Sequence, residues 1–268
     1  MKVGVQLHPQ HTSVEALRSA WTEADELGVD SIWVWDHFFP LYGEGMPYVW
    51  PPEGDPTGSH YESWSLLAAM AVETHRASIG ALISNIAFRN PDLLADMART
   101  VDHLSGGRVI LGLGAGNLER DLREYGYPVL GARERADALA QALERIRGRL
   151  RRLDPPPVGA LPILLGASGK VTFRLVAEHA QAWNSFGPPS DYARLNATLD
   201  EWCARVGRDP REIERTVLLD TPAELADIDG FIEAGVEHVI VGWAAPFDRG
   251  AVEELLAVRN ERPAASRT

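Results

Sequence analysis

The chain has 268 residues, 45% of them hydrophobic and 24% charged, enough for one large domain or two small ones, which excludes a disordered tail or a disulfide mini-protein. Twenty-six Lys and Arg against 38 Asp and Glu leave a formal charge of -12, so the field repels polyphosphate backbones and anionic lipid, and neither nucleic acid nor membrane is an expected partner. The single cysteine, Cys203, can form no intramolecular disulfide, and the opening MKVGVQLHP lacks an apolar signal core, so a reducing, cytoplasmic setting is expected.

Strand-like runs alternate with helical periodicities up to about residue 258. Strands are expected at 2–7 (KVGVQL), 31–35 (SIWVW), 77–83 (ASIGALI), 108–113 (RVILGL), 162–166 (PILLG), 181–184 (QAWN), 215–219 (RTVLL) and 237–242 (EHVIVG). Between them, helix starts are marked by Ser13, by Asn90-Pro91 and by Thr221-Pro222, which join capping residues to a first-turn proline. One helix carries an apolar stripe of Leu93, Leu94, Met97, Val101 and Leu104, another of Leu139, Leu143, Ile146 and Leu150. Eight βα units predict an α/β fold of the (β/α)8 TIM-barrel kind, one domain over 1–258 with a frayed tail at 259–268. The first strand is not followed by GxGxxG, which disfavours a doubly wound open sheet.

Such barrels place their chemistry just after each strand. His8 and His11 follow the first strand, Asp36 and His37 the second, Ser84 and Asn85 the third, and Gly114 to Asn117 the fourth. The histidines with Asp36 suggest a metal hydrolase, but the later strand ends offer glycine, serine, asparagine and tryptophan, so no metal is expected. His60, His75, His103, His179 and His238 read as surface or half-buried side chains. Gly166-Ala167-Ser168-Gly169-Lys170 is a glycine-rich turn whose amides, with Ser168 and Lys170, suit a phosphate, and it serves equally as a tight βα connection. Residues 36–60 form a long loop rich in aromatics, with Phe38, Phe39, Tyr42, Tyr48 and Trp50, as a binding wall for a flat apolar ligand would be.

Three blocks of residues, GVDSIWVWDHF at 28–38, SNIAFRNPDLLADMARTVDHLSGGRVILGLGAGN at 84–117 and PILLGASGKVTFRLVAEHAQAWN at 162–184, carry a resemblance. The chain resembles the luciferase-like monooxygenase superfamily, and within it the oxidoreductases that use the deazaflavin coenzyme F420. That resemblance implies a barrel holding a flavin-type ring at its C-terminal mouth, with Asp36 and His37 beside the ring as the catalytic residues, His37 being the favoured acid/base residue and Asp36 its neighbour in the ring pocket. It implies that Ser84 and Asn85 lie where relatives bulge through a non-prolyl cis peptide behind the ring. It also brings Gly116 and Asn117 to the cofactor, and Gly166, Ala167, Ser168 and Gly169 to its phosphate.

Trp183 and Asn184 match the family's sixth strand end, with Trp183 read as packing. Asn117 stands where the sugar-phosphate dehydrogenases of this branch carry a catalytic glutamate, and an amide is no general acid, so sugar-phosphate oxidation is disfavoured. The chain is also short after its seventh strand, where many members carry an insertion. The expected activity is hydride transfer between F420 and a small organic substrate, in a homodimer. An FMN-dependent monooxygenase and a non-catalytic F420-binding protein are the alternatives.

Overall fold

Ser13 accepts a hydrogen bond from the Ala16 amide and opens α1 (Val14–Leu27), and Gly28, left-handed at φ 83, closes it. This helix buries Leu17, Ala20, Trp21 and Ala24 beside β1 (Lys2–Leu7) and β2 (Ser31–Val34). The computed structural model describes residues 1–41, 57–116 and 118–262, and the same β–α alternation runs through them. After β2 come α2 (Ser63–Glu73), β3 (Ser78–Ala81), β4 (Ser84–Asn85), α3 (Pro91–Ser105), β5 (Leu111–Gly114), α4 (Glu119–Glu124) and α5 (Ala132–Leu150). The rest is β6 (Ile163–Gly166), α6 (Lys170–His179), β7 (Ala182–Ser185), α7 (Pro189–Val206), β8 (Glu214–Leu219), α8 (Ile228–Glu233), β9 (His238–Trp243) and α9 (Gly250–Glu261).

All strand pairs are parallel, in the order β3-β2-β1-β9-β8-β7-β6-β5-β4. The third expected strand, 77–83, stops early: β3 ends at Ala81, a cis peptide joins Leu82 to Ile83, two residues before the expected Ser84-Asn85 site, and β4 follows beyond the expected range. The ring closes across this division, because the Ile79 amide donates to the Arg108 carbonyl at 3.0 Å and the Ile110 amide to the Ile79 carbonyl at 2.9 Å. The fold is the expected α/β barrel. Its strand boundaries differ by at most three residues from those read in the sequence, the most at β5, which starts at Leu111 while Val109 makes only an isolated bridge to Ile79.

Two apolar layers hold it together. The outer one lies between helices and strands and includes Trp21, Leu67, Val101, Leu143, Phe173 and Tyr192. The inner one fills the barrel with Trp33, Leu82, Leu164, Ala182 and Ile240. Two polar pairs lie inside: His238 Nε2 with Ser31 Oγ at 2.9 Å, and Thr216 Oγ1 donating to Asn184 Oδ1 at 2.7 Å.

Three expectations change. Leu93 and Leu104 are 52% and 47% exposed, because α3 turns Leu94, Ala98 and Val101 inward and residues one step away point about 100° aside. Thr221 opens a 3-10 turn, Pro222–Asp227, before the short α8. Residues 259–261 of the expected tail belong to α9, which runs to Glu261, and Arg259 bonds the Gly28 carbonyl and Asp30; residues 263–268 lie outside the described ones. Among the described residues no helix is long and apolar enough to cross a membrane.

Candidate active site

The glycines of β5 and β6 shape the mouth. Ile83, just after the cis peptide, extends across the lumen, and a Cβ on Gly114 or Gly166 would lie 2.1 or 2.5 Å from its Cδ1. On Gly112 a Cβ would lie 2.0 Å from the Ala81 carbonyl oxygen, a backbone atom that cannot rotate away. Gly112→Ala is therefore expected to cost about 2–3 kcal/mol, read as a lowered unfolding midpoint, and Gly114→Ala, which meets only a rotatable methyl, distinctly less. Equal losses would mean that the two glycines are not separated by what they face.

Ile83 is half-buried and is the side chain that the divided strand lends to the mouth. Ser84 and Asn85, the expected ring supports, are buried in local bonds: Trp64 Nε1 donates to Ser84 Oγ at 3.0 Å, and Asn85 Oδ1 accepts from the Ala87 amide at 3.0 Å. Gly116, left-handed at φ 73, packs against the Asn85 amide. Asn117 lies outside the described residues, as does most of the aromatic loop, 42–56.

Asp36 and His37 part company at the end of β2. Asp36 is buried and takes a forked bond from Arg89, at 2.5 and 3.1 Å, with a third from Ser63 Oγ at 2.7 Å. Arg89 reaches on to Glu62, and the two carboxylates hold its guanidinium above the ordinary range although burial pulls the other way. His37 turns toward the opening, its side chain 20% exposed, and its Nδ1 stands 2.6 Å from the buried carboxylate of Asp121 on α4. A carboxylate only accepts, so Nδ1 carries the proton in that bond and Nε2 is left for other partners.

Aromatic rings surround this pair. Phe38 stacks on Tyr125 at 4.1 Å and packs against Phe88 at 4.4 Å, and the Phe88 ring meets His37 edge-on at 6.5 Å. Arg120 lies 4.6 Å over Phe39. His60 arrives by an isolated antiparallel bridge to Gln10, and Trp35 Nε1 donates to its Nε2 at 3.0 Å. Burial first, with His37 adding, pushes its pKa down to about 4, so it is neutral near neutral pH. His8, buried against Trp35, is pushed by burial to about 3. His11 packs over Gly58. Among the described residues no group of three or more His, Cys, Asp or Glu is placed to hold a metal.

On the far wall, Ser168 and Gly169 are exposed where α6 begins, and a Cβ on Gly169 would meet nothing closer than Thr172 Oγ1 at 3.6 Å. Ala167 is buried, and its carbonyl accepts from Trp183 Nε1 at 2.8 Å, which fixes Trp183 as packing between Phe173 and Tyr192. Ser185 Oγ, at the end of β7, is buried with no partner among the described residues.

Against known families, the model described as luciferase-like monooxygenase matches residues 1–222. The chain belongs to the luciferase-like monooxygenase family. Within reach of its sequence is a phthiodiolone/phenolphthiodiolone dimycocerosates ketoreductase of Mycobacterium tuberculosis, 30% identical over 262 residues, covering 85% of this chain and 66% of that protein. The chain thus spans just under two thirds of that relative's length. An F420-dependent glucose-6-phosphate dehydrogenase of Amycolatopsis mediterranei is 32% identical over 148 residues, 55% of this chain and 41% of that one. Among solved structures, an F420-dependent secondary alcohol dehydrogenase with an F420-acetone adduct shares the family barrel at a TM-score of 0.79, with 17% identity over 93% of this chain and 96% of that one. The oxygenating component of a 3,6-diketocamphane monooxygenase from Pseudomonas putida, with FMN, superposes at 0.64, 18% identical over 81% of this chain and 66% of that one.

Sequence reasoning reached the strand ends but not their partners. Asp121, Arg89, Ser63, Glu62 and Ile83 were not singled out. Arg89 alone had a signal, standing in RNP ahead of a helix start, whereas Asp121 sits in RDLREY, which reads as a solvated helix face.

Proposed function

We propose that this chain is an oxidoreductase that moves a hydride between the deazaflavin coenzyme F420 and a small uncharged organic substrate at the barrel mouth. The observation that carries the reading is the His37–Asp121 pair, an oriented imidazole with a buried carboxylate behind it, flanked in the mouth by aromatics and Ile83. The F420-linked and ketoreductase relatives support it.

The residues present fit a deazaflavin. Ile83 supplies an apolar pad for a flat ring. Gly166, Ala167, Ser168 and Gly169 lead into the first amides of α6, which suit a phosphate. The Ser185 hydroxyl, buried with no partner among the described residues, is a polar atom at the same end of the barrel that a ligand can satisfy.

When bound, the deazaflavin supplies the hydride. The protein's part is to hold the substrate against it and to manage charge on the substrate oxygen. His37, kept in one tautomer by Asp121, presents Nε2 to hold or give a proton there. Asp36 acts through Arg89 and Ser63 as a positioning residue, its carboxylate oxygens already engaged. The aromatic wall of Phe38 and Phe88, with Tyr125 at its exposed edge, favours an apolar substrate body.

The test is fluorescence titration of the purified chain with oxidised F420 and, separately, with FMN. Micromolar binding of F420, with FMN at least about tenfold weaker, is expected. The reverse preference overturns the reading and favours oxygen activation on reduced flavin.

A further inference from the structure

The mouth has a second wall, formed by β8, β9 and β1, that the proposed reaction leaves unused. Side chains alternate along a strand, so inward positions follow one another two residues apart. On β8, Thr216 bonds Asn184 inside the barrel and Leu218 packs on the inner cluster with Trp33 and Ile240, so the next inward position is Asp220. The same count on β9 runs through His238 and Ile240 to Gly242, and on β1 through Gln6, bonded to the Leu82 carbonyl, to His8.

Gly242 therefore leaves a notch between the Asp220 backbone, whose side chain takes the inward position beside it, and the His8 ring. A Cβ there would lie 3.1 Å from the Asp220 carbonyl oxygen and 3.1 Å from His8 Nε2. The His8 ring is backed by Trp35, with centroids 4.3 Å apart, and its Nδ1 is buried without a partner among the described residues. Asp220 faces Gly242 on β9 and, past it, His8 on β1; Glu224 follows in the turn after β8, and β7 ends on the uncharged Ser185, opposite Val217 and short of Asp220. Glu224 is itself tied to the Thr221 amide and hydroxyl. Burial first and then the Glu224 carboxylate push the Asp220 carboxyl up to about 7, and among the described residues no cation counters them.

We propose that the Asp220 carboxyl, with His8 across the Gly242 notch, is a subsite that donates a hydrogen bond to the oxygen of an uncharged carbonyl ligand. The choice of a carbonyl rests on the redox reading above; the geometry of the notch does not. Below about pH 7 the Asp220 carboxyl keeps its proton and is a donor, and beside a second carboxylate it rejects anions. His8, neutral over the whole working range, adds a second polar atom without charge. The subsite thus selects ketones and aldehydes over carboxylic acids and phosphates, and it loses its donor as Asp220 ionises.

The experiment uses the full chain without cofactor, with 4-fluoroacetophenone as the probe and 1-ethyl-4-fluorobenzene as its carbonyl-free control, both followed by 19F NMR. Between about pH 6 and about pH 8.5, on either side of the Asp220 titration, ketone affinity is expected to fall about tenfold, the worth of one hydrogen bond in a desolvated site, while the control stays level. Asp220→Asn keeps a donor that does not titrate and is expected to bind the ketone independently of pH. Glu224→Gln is expected to move the midpoint of the fall to lower pH. A flat profile in the unmodified chain, the same fall in Asp220→Asn, a parallel fall in the control, or no saturable ketone binding near pH 6 each overturns the proposal. Affinity for an amine probe would rise with pH instead, the signature of a cation site. Failure of the F420 reading shows separately, as absent cofactor binding in a protein whose ketone affinity still follows Asp220.

Discussion

Asp36→Ala is expected to destabilise the chain by about 3 kcal/mol, a fall of roughly 6–12 °C in unfolding midpoint for a domain of this size. The Asp36 side chain is fully buried and that of Arg89 only 11% exposed, so removing the carboxylate leaves a guanidinium out of water with half its partners gone. Glu62 remains, but it is 40% exposed and screened, which places the loss at the lower end of what a broken buried pair costs. Ser63 loses its acceptor in the same variant. The double variant Asp36→Ala/Arg89→Met, which leaves no stranded charge, is expected to recover part of the loss, and this coupling separates an ion pair from simple packing. A single-variant loss under about 1 kcal/mol, or strictly additive losses in the double variant, would show that the pair is solvated and that Asp36 is available for other work.

The barrel was legible in the sequence because it is written in local signals. Alternating strands and the Ser13 and Asn90-Pro91 caps report on their own neighbourhoods, and these stand in the structure. What the sequence conceals is the partner at long range. Asp36 and Arg89 are 53 residues apart, and His37 and Asp121 84 apart, and no spacing rule connects them. Adjacent positions also diverge: Asp36 and His37 look like one acid/base pair in DHF, yet successive side chains at a strand end point to opposite sides, one into a buried ion pair and one to the opening. The third strand failed as a pattern for a related reason. ASIGALI reads as one continuous run, and nothing in its apolar character marks the break after Ala81 that gives the lumen Ile83 and sends Ser84 into the packing of Trp64. Period-two counting alone does place Asp220 inward, but only once the neighbouring strands fix which face is inside.

The largest effect on turnover is expected at His37. With F420 and a ketone substrate found by screening, His37→Ala is expected to lower kcat about a hundredfold or more, while the F420 dissociation constant stays within about threefold. The split follows from the geometry: the imidazole is 20% exposed with Nδ1 spent on Asp121, so its free Nε2 serves the substrate oxygen, whereas the expected phosphate contacts lie across the mouth at α6. Asp121→Asn tests the orienting role. An asparagine amide offers the ring either its oxygen or its NH2, so the tautomer is no longer fixed, and a loss of about tenfold in kcat, with KM little changed, is expected. Phe38→Ala should do the reverse, raising KM by opening the aromatic wall while leaving the proton path intact. A protein that only carries the cofactor would show no turnover to lose and would keep F420 binding in all three variants. If His37→Ala instead left kcat unchanged in an active enzyme, the proton would have to reach the substrate from another group of the mouth. Asp220 on the opposite wall is then the group to substitute, and the pH profile of kcat would follow its titration.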